Sequence, residues 1–125
     1  ASLRNAGALA AAVQQASQES ASGRVAVIGA GEHWPGGALR PAIEDLLGAG
    51  AVIARLTGRL SPDARVARAA YLDLKDEIAA TLRDSHSGQE LIAAGFPDDV
   101  EMALEEDVSA AVPLLRDGRY VDAAL

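Results

Sequence analysis

The chain has 125 residues, with 11 basic and 18 acidic side chains, a net charge of −7 and no cysteine. This acidic balance argues against sequence-independent nucleic-acid binding, which needs a basic face, and the lack of cysteine excludes disulfide bonds and thiolate metal sites. The length suits one domain, and no apolar stretch approaches the roughly twenty residues that span a membrane. A cysteine-free chain is compatible with a reducing cytoplasm, where we expect the protein.

The first half of the chain predicts a helix, a strand and a second helix. Apolar residues recur at every third or fourth position over residues 3–20, which indicates an amphipathic helix. Residues 25–28 are apolar on both faces, as is typical of a central strand covered by helices. A loop over residues 32–37 leads to a second helix over residues 39–56, with Pro41 tolerated in its first turn.

Two glycines, Gly48 and Gly50, lie in the middle of this second helix. Each lowers the helix propensity by about 1 kcal/mol relative to alanine. Glycine is retained inside a helix where a larger residue would collide with a neighbouring element. We therefore expect another backbone to pass close to both positions.

The second half of the chain predicts further helices and a terminal hairpin. A third helix over residues 62–83 begins with Ser61 as its cap and proline at its first position. Two shorter helices follow over residues 85–95 and 97–106. The dipeptide Asp117-Gly118, between two short apolar runs, predicts a β-hairpin.

The predicted fold class is therefore α/β. We expect a single layered domain over residues 1–125, with a small mixed sheet flanked by about five helices and a C-terminal β-hairpin. Three strands are few for so much helix. The first helix and the strand at residues 25–28 are expected to need more sheet beside them, and their open surface favours association with a partner.

The loop after this strand holds the candidate site. In an open α/β sheet, ligands bind beyond the carboxyl ends of the strands, where Gly31, Glu32 and His33 leave the predicted strand. Glu32 and His33 are candidate acid–base groups. Gly31 lets a backbone N–H approach a ligand, and Arg40 stands in the first turn of the next helix, whose N-terminal end favours an anion. Alternatively, the glycines serve only the turns of a connecting loop, with Trp34 as a surface plug.

The glycine pattern of this loop matches neither a dinucleotide fingerprint nor a Walker loop, so no nucleotide cofactor is expected. Glu44 and Asp45 follow in the first turns of the second helix. With Glu32 they can share a hard divalent cation such as Mg²⁺, which prefers oxygen ligands and keeps several waters. Alternatively, they are surface charges favoured by the helix dipole. Neighbours on a helix diverge by about 100°, so at most one of the two points squarely into a site.

Other polar groups have simpler interpretations. His86 lies in a helix cap, where a solvated or capping role is favoured over catalysis. Ser85 and Ser87 are interpreted as caps rather than nucleophiles, because the chain has no Gly-x-Ser-x-Gly elbow. A group of acidic residues predicts a solvated helix face: Glu101, Glu105, Glu106 and Asp107.

A set of short segments, taken in order, covers nearly the whole chain. They are Ser2-Leu3-Arg4-Asn5-Ala6, the strand with Gly29-Ala30-Gly31-Glu32, the run from Arg40-Pro41 through Glu44-Asp45 to Gly50, Ser87-Gly88 to Gly95, Asp99-Val100 to Ala103, Asp107, and Val112-Pro113 with Asp117-Gly118. This ordered set resembles the C-terminal half of the 2-phosphosulfolactate phosphatase family. The block from Glu44-Asp45 to Gly50 carries most of the resemblance.

The resemblance implies a Mg²⁺-dependent phosphatase that acts on a small phosphorylated or sulfonated acid, on a route to coenzyme M. It implies Glu44 and Asp45, with Glu32, as the carboxylates nearest the ion. The implied substrate-binding residues are Gly31, Arg40 and Asn5. The alternative is a non-catalytic α/β module that binds a small anion or a partner chain.

The family's chains are about twice as long, and Asn5 sits where their N-terminal half would join. We therefore expect either a homo-oligomer or association with that missing N-terminal half, with no membrane or nucleic-acid partner. The interface is expected to include the first helix or the strand edge.

Overall fold

A computed structural model describes residues 1–123 of the chain, and six α-helices make up most of its regular structure. The helices are α1 (Ala6–Glu19), α2 (Ile43–Ala54), α3 (Pro62–Leu74), α4 (Ile78–Asp84), α5 (His86–Ala93) and α6 (Pro97–Leu104). The strands are β1 (Glu32–His33), β2 (Leu39–Arg40), β3 (Pro113–Arg116) and β4 (Arg119–Asp122). Two short 3₁₀ turns, Leu3–Asn5 and Lys75–Glu77, precede α1 and α4.

The four strands form two separate antiparallel pairs. In the first pair Glu32 is opposite Arg40, and in the second β3 pairs with β4 across the predicted turn. Asp117 and Gly118 have φ angles of 50° and 74°, the pair of positive values that a two-residue hairpin turn requires. The mixed α/β class and the C-terminal hairpin are therefore confirmed.

The expected central strand at residues 25–28 is wrong for this chain. The segment has no regular secondary structure and pairs with no strand among residues 1–123. Val25 is 43% exposed and Ile28 is 87% exposed, so neither face is covered as predicted. The physical reason is that a strand needs a neighbour for its backbone hydrogen bonds, and β1 and β2 pair only with each other.

Two predicted helix boundaries also differ from the structure. The second helix begins at Ile43 rather than at residue 39, because Leu39 and Arg40 pair with β1. The third helix is interrupted by the 3₁₀ turn Lys75–Glu77, so it becomes α3 and α4. Its predicted start is confirmed, since the Ser61 hydroxyl accepts a hydrogen bond from the Ala64 N–H at 3.2 Å.

The core lies where α2 packs against α1 and α3, and α4, which contacts α3, adds Ile78 and Leu82 to it. Leu47 and Ala51 on α2 are completely inaccessible to solvent. The other buried members of the cluster are Leu3, Ala6, Ala10, Val52, Tyr71, Ile78 and Leu82. Within residues 1–123, no helix combines the length and the apolar character that crossing a membrane requires.

Gly50 is the point of closest approach between α2 and α3. A Cβ atom added at Gly50 would overlap the carbonyl oxygen of Ala67 and lie 2.7 Å from the Tyr71 Cβ. The predicted close backbone is therefore confirmed at Gly50. It is wrong at Gly48, where an added Cβ meets none of the described atoms within 4 Å.

A polar cluster joins the ends of α1, α2 and α3. The Gly7 N–H, in the first turn of α1, donates to Asp107 Oδ1 at 2.6 Å, and Arg55 Nη2 donates to Asp107 Oδ2 at 2.7 Å. Arg55 also donates to the Tyr71 hydroxyl, which in turn donates to Glu106 at 3.0 Å. Burial, together with the bond to Glu106, raises the pKa of Tyr71 above its ordinary value.

These contacts change the interpretation of the acidic residues near position 101. Asp107, with a φ of 51°, caps α1 from a distant part of the chain, and Glu106 is held by Tyr71. Glu101 accepts two hydrogen bonds of 2.6 Å from Arg83, which ties α6 to α4. A solvated helix face is therefore the wrong description for Glu106 and Asp107, which lie after the end of α6. Glu101 is exposed on α6 as predicted, although Arg83 binds it, and Glu105, just after the helix, pairs with Arg4.

The α2–α3 contact predicts opposite effects for two glycine substitutions. Gly50→Ala should lower the free energy of unfolding by about 2–4 kcal/mol, because the methyl group forces α2 and α3 apart. Gly48→Ala should raise it by about 0.5–1 kcal/mol, since the site is open and alanine favours the helix. Urea unfolding of both variants measures the two changes. Equal effects would contradict the close approach at Gly50.

The capping role of Asp107 predicts a loss of stability when its carboxylate is removed. Asp107→Ala should lower the free energy of unfolding by about 1–2 kcal/mol, because the Gly7 N–H and Arg55 lose a charged acceptor. Asp76→Ala is the matched control, since Asp76 is exposed and its side chain makes no hydrogen bond or ion pair with a described residue. The control should stay within about 0.5 kcal/mol of the parent protein, and a similar result for Asp107→Ala would refute the cap.

Candidate active site

Arg40 lies at the centre of a polar cluster and is largely removed from water. Its side chain is 9% exposed. Arg40 Nη1 donates to Glu90 Oε2 at 2.6 Å, and Nη2 donates to the Ser87 hydroxyl at 3.1 Å. Glu32 Oε2 lies 3.9 Å from Nη2. A buried guanidinium needs such partners, because burying a charge without them is strongly unfavourable.

The start of α5 positions two of these partners. The Ser85 hydroxyl caps α5 by accepting from the Gly88 N–H at 3.1 Å. Gly88 is packed against the carbonyl oxygen of Leu82, where a Cβ would overlap that atom, so α5 begins directly against the end of α4. Ser87 and Glu90 are three residues apart on α5 and therefore share the face that meets Arg40.

The Ser87 hydroxyl connects Arg40 to α2. It accepts the hydrogen bond from Arg40 and donates its own proton to Glu44 Oε1 at 2.5 Å. Glu44 is in the first turn of α2, so the hydroxyl joins β2, α5 and α2 in one chain of hydrogen bonds. Hydrogen bonds in such a chain polarise and strengthen one another.

Two rings cover one side of the cluster. The Arg40 guanidinium carbon lies 5.5 Å from the centre of the Trp34 ring, within the range of a cation–π interaction. The ring centres of Trp34 and His86 are 5.2 Å apart, with planes tilted by 60°. His86 Nε2 lies 3.4 Å from Glu90 Oε1, one helical turn along α5. We call these seven residues the Arg40 cluster: Glu32, Trp34, Arg40, Glu44, His86, Ser87 and Glu90.

The cluster holds one guanidinium and three carboxylates. The hydrogen bond from Arg40 lowers the pKa of Glu90 below its ordinary value. The same bond raises the pKa of Arg40, against the opposing effect of burial, with further help from the negative charges of Glu32 and Glu44. Nε of Arg40 is buried and has no acceptor among the described residues.

Gly31 and Asp45 contact each other rather than the Arg40 cluster. The Gly31 N–H donates to Asp45 Oδ2 at 2.5 Å, and Gly31 has a φ of 78° that suits only glycine without strain. Asp45 therefore holds the backbone of the turn before β1. Glu44 instead faces Ser87, so the two adjacent carboxylates have different partners, as the divergence of neighbours on a helix requires.

His33 and Asn5 have no described contact with the Arg40 cluster. His33 is exposed and pairs with Leu39 between β1 and β2. Asn5 is buried, with Nδ2 donating to the Ala111 carbonyl at 2.9 Å and Oδ1 accepting from the Ser2 N–H. Its amide therefore ties the start of the chain to the segment before the hairpin. The substrate-binding role of Asn5 and the acid–base role of His33 stay predictions.

Sequence reasoning missed His86, Ser87 and Glu90 as members of the site. The available signal was their spacing in the first two turns of one short helix, which places polar groups on one face. Nothing in the sequence indicates their contact with Arg40, because 47 and 50 residues separate Arg40 from Ser87 and Glu90.

The ion pair predicts the titration of Glu90. Its folded-state pKa lies below the unfolded value, so the ion pair contributes stability above the unfolded pKa and loses it as the pH falls through the folded one. Arg40→Gln should move the pKa of Glu90 upwards toward its ordinary value, as measured by carboxyl NMR. Glu101 is the internal control, since its pKa is lowered by Arg83 and should not change. An unchanged Glu90 pKa in the variant would contradict the contact.

Comparisons with known proteins all point to the same protein family. The sequence profile described as 2-phosphosulpholactate phosphatase matches residues 1–118. The chain is 35% identical over 119 residues to the 2-phosphosulfolactate phosphatase of Methanothermobacter thermautotrophicus, covering 94% of this chain and 47% of the relative. It is 30% identical over 84 residues to a probable 2-phosphosulfolactate phosphatase of Pseudothermotoga lettingae, covering 66% of this chain and 38% of that relative.

The chain thus spans less than half the length of the curated relatives that it matches. The family profile nevertheless extends over nearly all of its residues, from the turn before α1 to the C-terminal hairpin. The chain belongs to the 2-phosphosulpholactate phosphatase family.

Proposed function

We propose that the Arg40 cluster is part of the active site of a Mg²⁺-dependent phosphatase, which hydrolyses the phosphate ester of a small anionic hydroxy acid such as 2-phosphosulfolactate. The observation that carries this proposal is the buried Arg40, whose Nε has no acceptor among the described residues and whose guanidinium is flanked by carboxylates. Family membership supports the same chemistry, since both relatives carry that enzyme name.

The oxygen donors around Arg40 suit Mg²⁺ in kind. Mg²⁺ usually takes one or two protein carboxylates, and its remaining ligands are water and substrate phosphate oxygens. Glu44 is the carboxylate that would hold it. Within residues 1–123, no three histidine or carboxylate side chains are placed so that they could hold a metal ion by themselves, so water and substrate oxygens would have to complete its coordination. When bound, the ion would neutralise the phosphoryl charge and activate water.

The chain's own residues would bind and orient the substrate. Arg40 supplies a fixed positive charge for the phosphate or sulfonate group, and Ser87 keeps the guanidinium and Glu44 in register. Trp34 covers the guanidinium and limits the access of water. Glu32, on the exposed side of Arg40, is the candidate base: it would take a proton from the attacking water, and this proton would pass to the leaving alkoxide oxygen as the ester P–O bond breaks, so that an alcohol and phosphate are released.

The second candidate is a non-catalytic module that binds a small anion. The observation that favours it is that the chain covers only 47% of the longer relative, so catalytic groups from the rest of that length are not in this chain. In this case Arg40 would bind phosphate without hydrolysing an ester.

Phosphate release from 2-phosphosulfolactate, with Mg²⁺ and with a chelator, tests the proposal. Hydrolysis should require Mg²⁺, and Glu44→Gln or Arg40→Lys should lower it by about 100-fold, because each removes a group that acts on the phosphoryl charge. Glu77→Gln, an exposed carboxylate in the 3₁₀ turn before α4, is the matched control and should keep the parent activity.

Calorimetry with inorganic phosphate separates the two candidates. Binding that depends on Arg40, without hydrolysis, would support the anion-binding module and reject the phosphatase activity of this chain. If the chain neither binds phosphate nor hydrolyses the ester, both candidate functions are contradicted.

A further inference from the structure

Helix α3 is apolar on two faces, and only one of them packs against the rest of the fold. Ala67 and Tyr71 are buried against α2 at Gly50. On the outward face, Val66 is 64% exposed and Leu72 is 42% exposed. A shallow depression of about 560 Å³ follows this outward face, and among the described residues its lining comes from α3 alone. A helix with a second apolar face gains stability when that face is also buried.

Two charged residues on the outward face have no partner in their own chain. Arg65 and Asp73 are exposed, and neither makes a hydrogen bond or an ion pair with a described residue. Their positions are about 12 Å apart along the helix axis, which is too far for them to pair with each other. A matching charge for each of them therefore has to come from another molecule.

The order of residues on this face makes it complementary to itself. Arg65 comes four residues before Ala69 and Asp73 four residues after it, and Val66 and Leu72 come three residues before and after. If two copies of α3 lie antiparallel about a two-fold axis at Ala69, positions that are equally far from Ala69 meet each other. Arg65 of each copy then faces Asp73 of the other, and Val66 lies beside Leu72.

We propose that this face of α3 forms a symmetric homodimer, with two reciprocal Arg65–Asp73 ion pairs around an apolar centre. The small side chain of Ala69 at the centre lets the two helices approach closely. The occupant is a second copy because the sequence of charges on the face matches its own reverse. The net charge of −7 on each copy opposes this association only weakly, since salt screens exposed charges beyond about 8 Å under physiological conditions.

This surface differs from the first helix and the strand edge, where the sequence predicts an interface. Two short helices bury less than the roughly 1,600 Å² of a standard interface, so we expect a weak dimer. The proposal does not depend on the function of the Arg40 cluster.

Sedimentation equilibrium in physiological salt tests the proposal, over about 10 µM to 1 mM, the range that suits a weak interface. The mass should rise from 12.8 kDa toward twice that value as the concentration increases. Arg65→Asp and Asp73→Arg should each weaken dimerisation by about tenfold or more, because each brings like charges together at two places. Arg119→Asp, on the C-terminal hairpin, makes the same change of charge as Arg65→Asp and should dimerise like the parent chain.

An equimolar mixture of the two single variants gives the sharpest result. One variant then carries two negative groups at these positions and the other carries two positive groups, so both ion pairs re-form between the unlike copies. The mixture should therefore dimerise although neither variant does so alone, and the double variant should recover the dimer on its own. All variants should keep the thermal midpoint of the parent chain, since Arg65 and Asp73 are exposed and lie outside the buried core.

The proposal is wrong if the parent chain keeps a mass of 12.8 kDa over the whole concentration range. It is equally wrong if both single variants dimerise like the parent chain, which would place the interface on another surface. A mixture that stays monomeric, while the parent chain dimerises, would exclude the antiparallel arrangement about Ala69.

Discussion

The burial of the Arg40 guanidinium is the constraint on which the candidate site depends. A charge that is nine-tenths removed from water must find its acceptors within the protein. Those acceptors come from three elements: Glu32 from β1, Ser87 and Glu90 from α5, and Glu44 on α2 through the Ser87 hydroxyl. The positions of the short β1–β2 pair and of the α5 start are therefore coupled through one side chain.

A second set of contacts holds the frame that presents this cluster. Gly50 lets α2 and α3 approach to backbone distance, which fixes the direction of α2 and hence the position of its first turn. At the C-terminal end of α2, Arg55 donates to Asp107, whose carboxylate also caps α1. The contact at Gly50 therefore acts within α2, and the polar contacts of Arg55 act at its C-terminal end.

Local signals in the sequence were sufficient for much of the fold. The Ser61 cap with Pro62, the Asp117-Gly118 turn and the close packing at Gly50 each follow from the chemistry of one or two residues. The prediction of a strand at residues 25–28 was wrong because a strand needs a neighbour to pair with, and no described part of this chain supplies one. The prediction of a close backbone at Gly48 was wrong because glycine lowers the helix propensity equally whether or not another backbone is near.

The site was predictable only in part. Glu32, Arg40 and Glu44 are close in sequence, and the structure does bring them together around one guanidinium. His86, Ser87 and Glu90 complete the cluster from about fifty residues away, and their cap-like sequence context conceals this role. Asp45, by contrast, is next to Glu44 in the sequence but lies outside the cluster, because its carboxylate accepts a hydrogen bond from the Gly31 backbone.

The claim that Arg40 is an anion-binding centre is tested most directly by NMR of the arginine Nε–Hε groups during titration with inorganic phosphate and Mg²⁺. The account predicts a saturable shift of the Arg40 signal, because its Nε has no acceptor among the described residues. The Arg83 signal should stay unchanged, since Glu101 already accepts from that Nε at 2.6 Å. A titration that moves other arginine signals and leaves Arg40 unmoved would contradict the account.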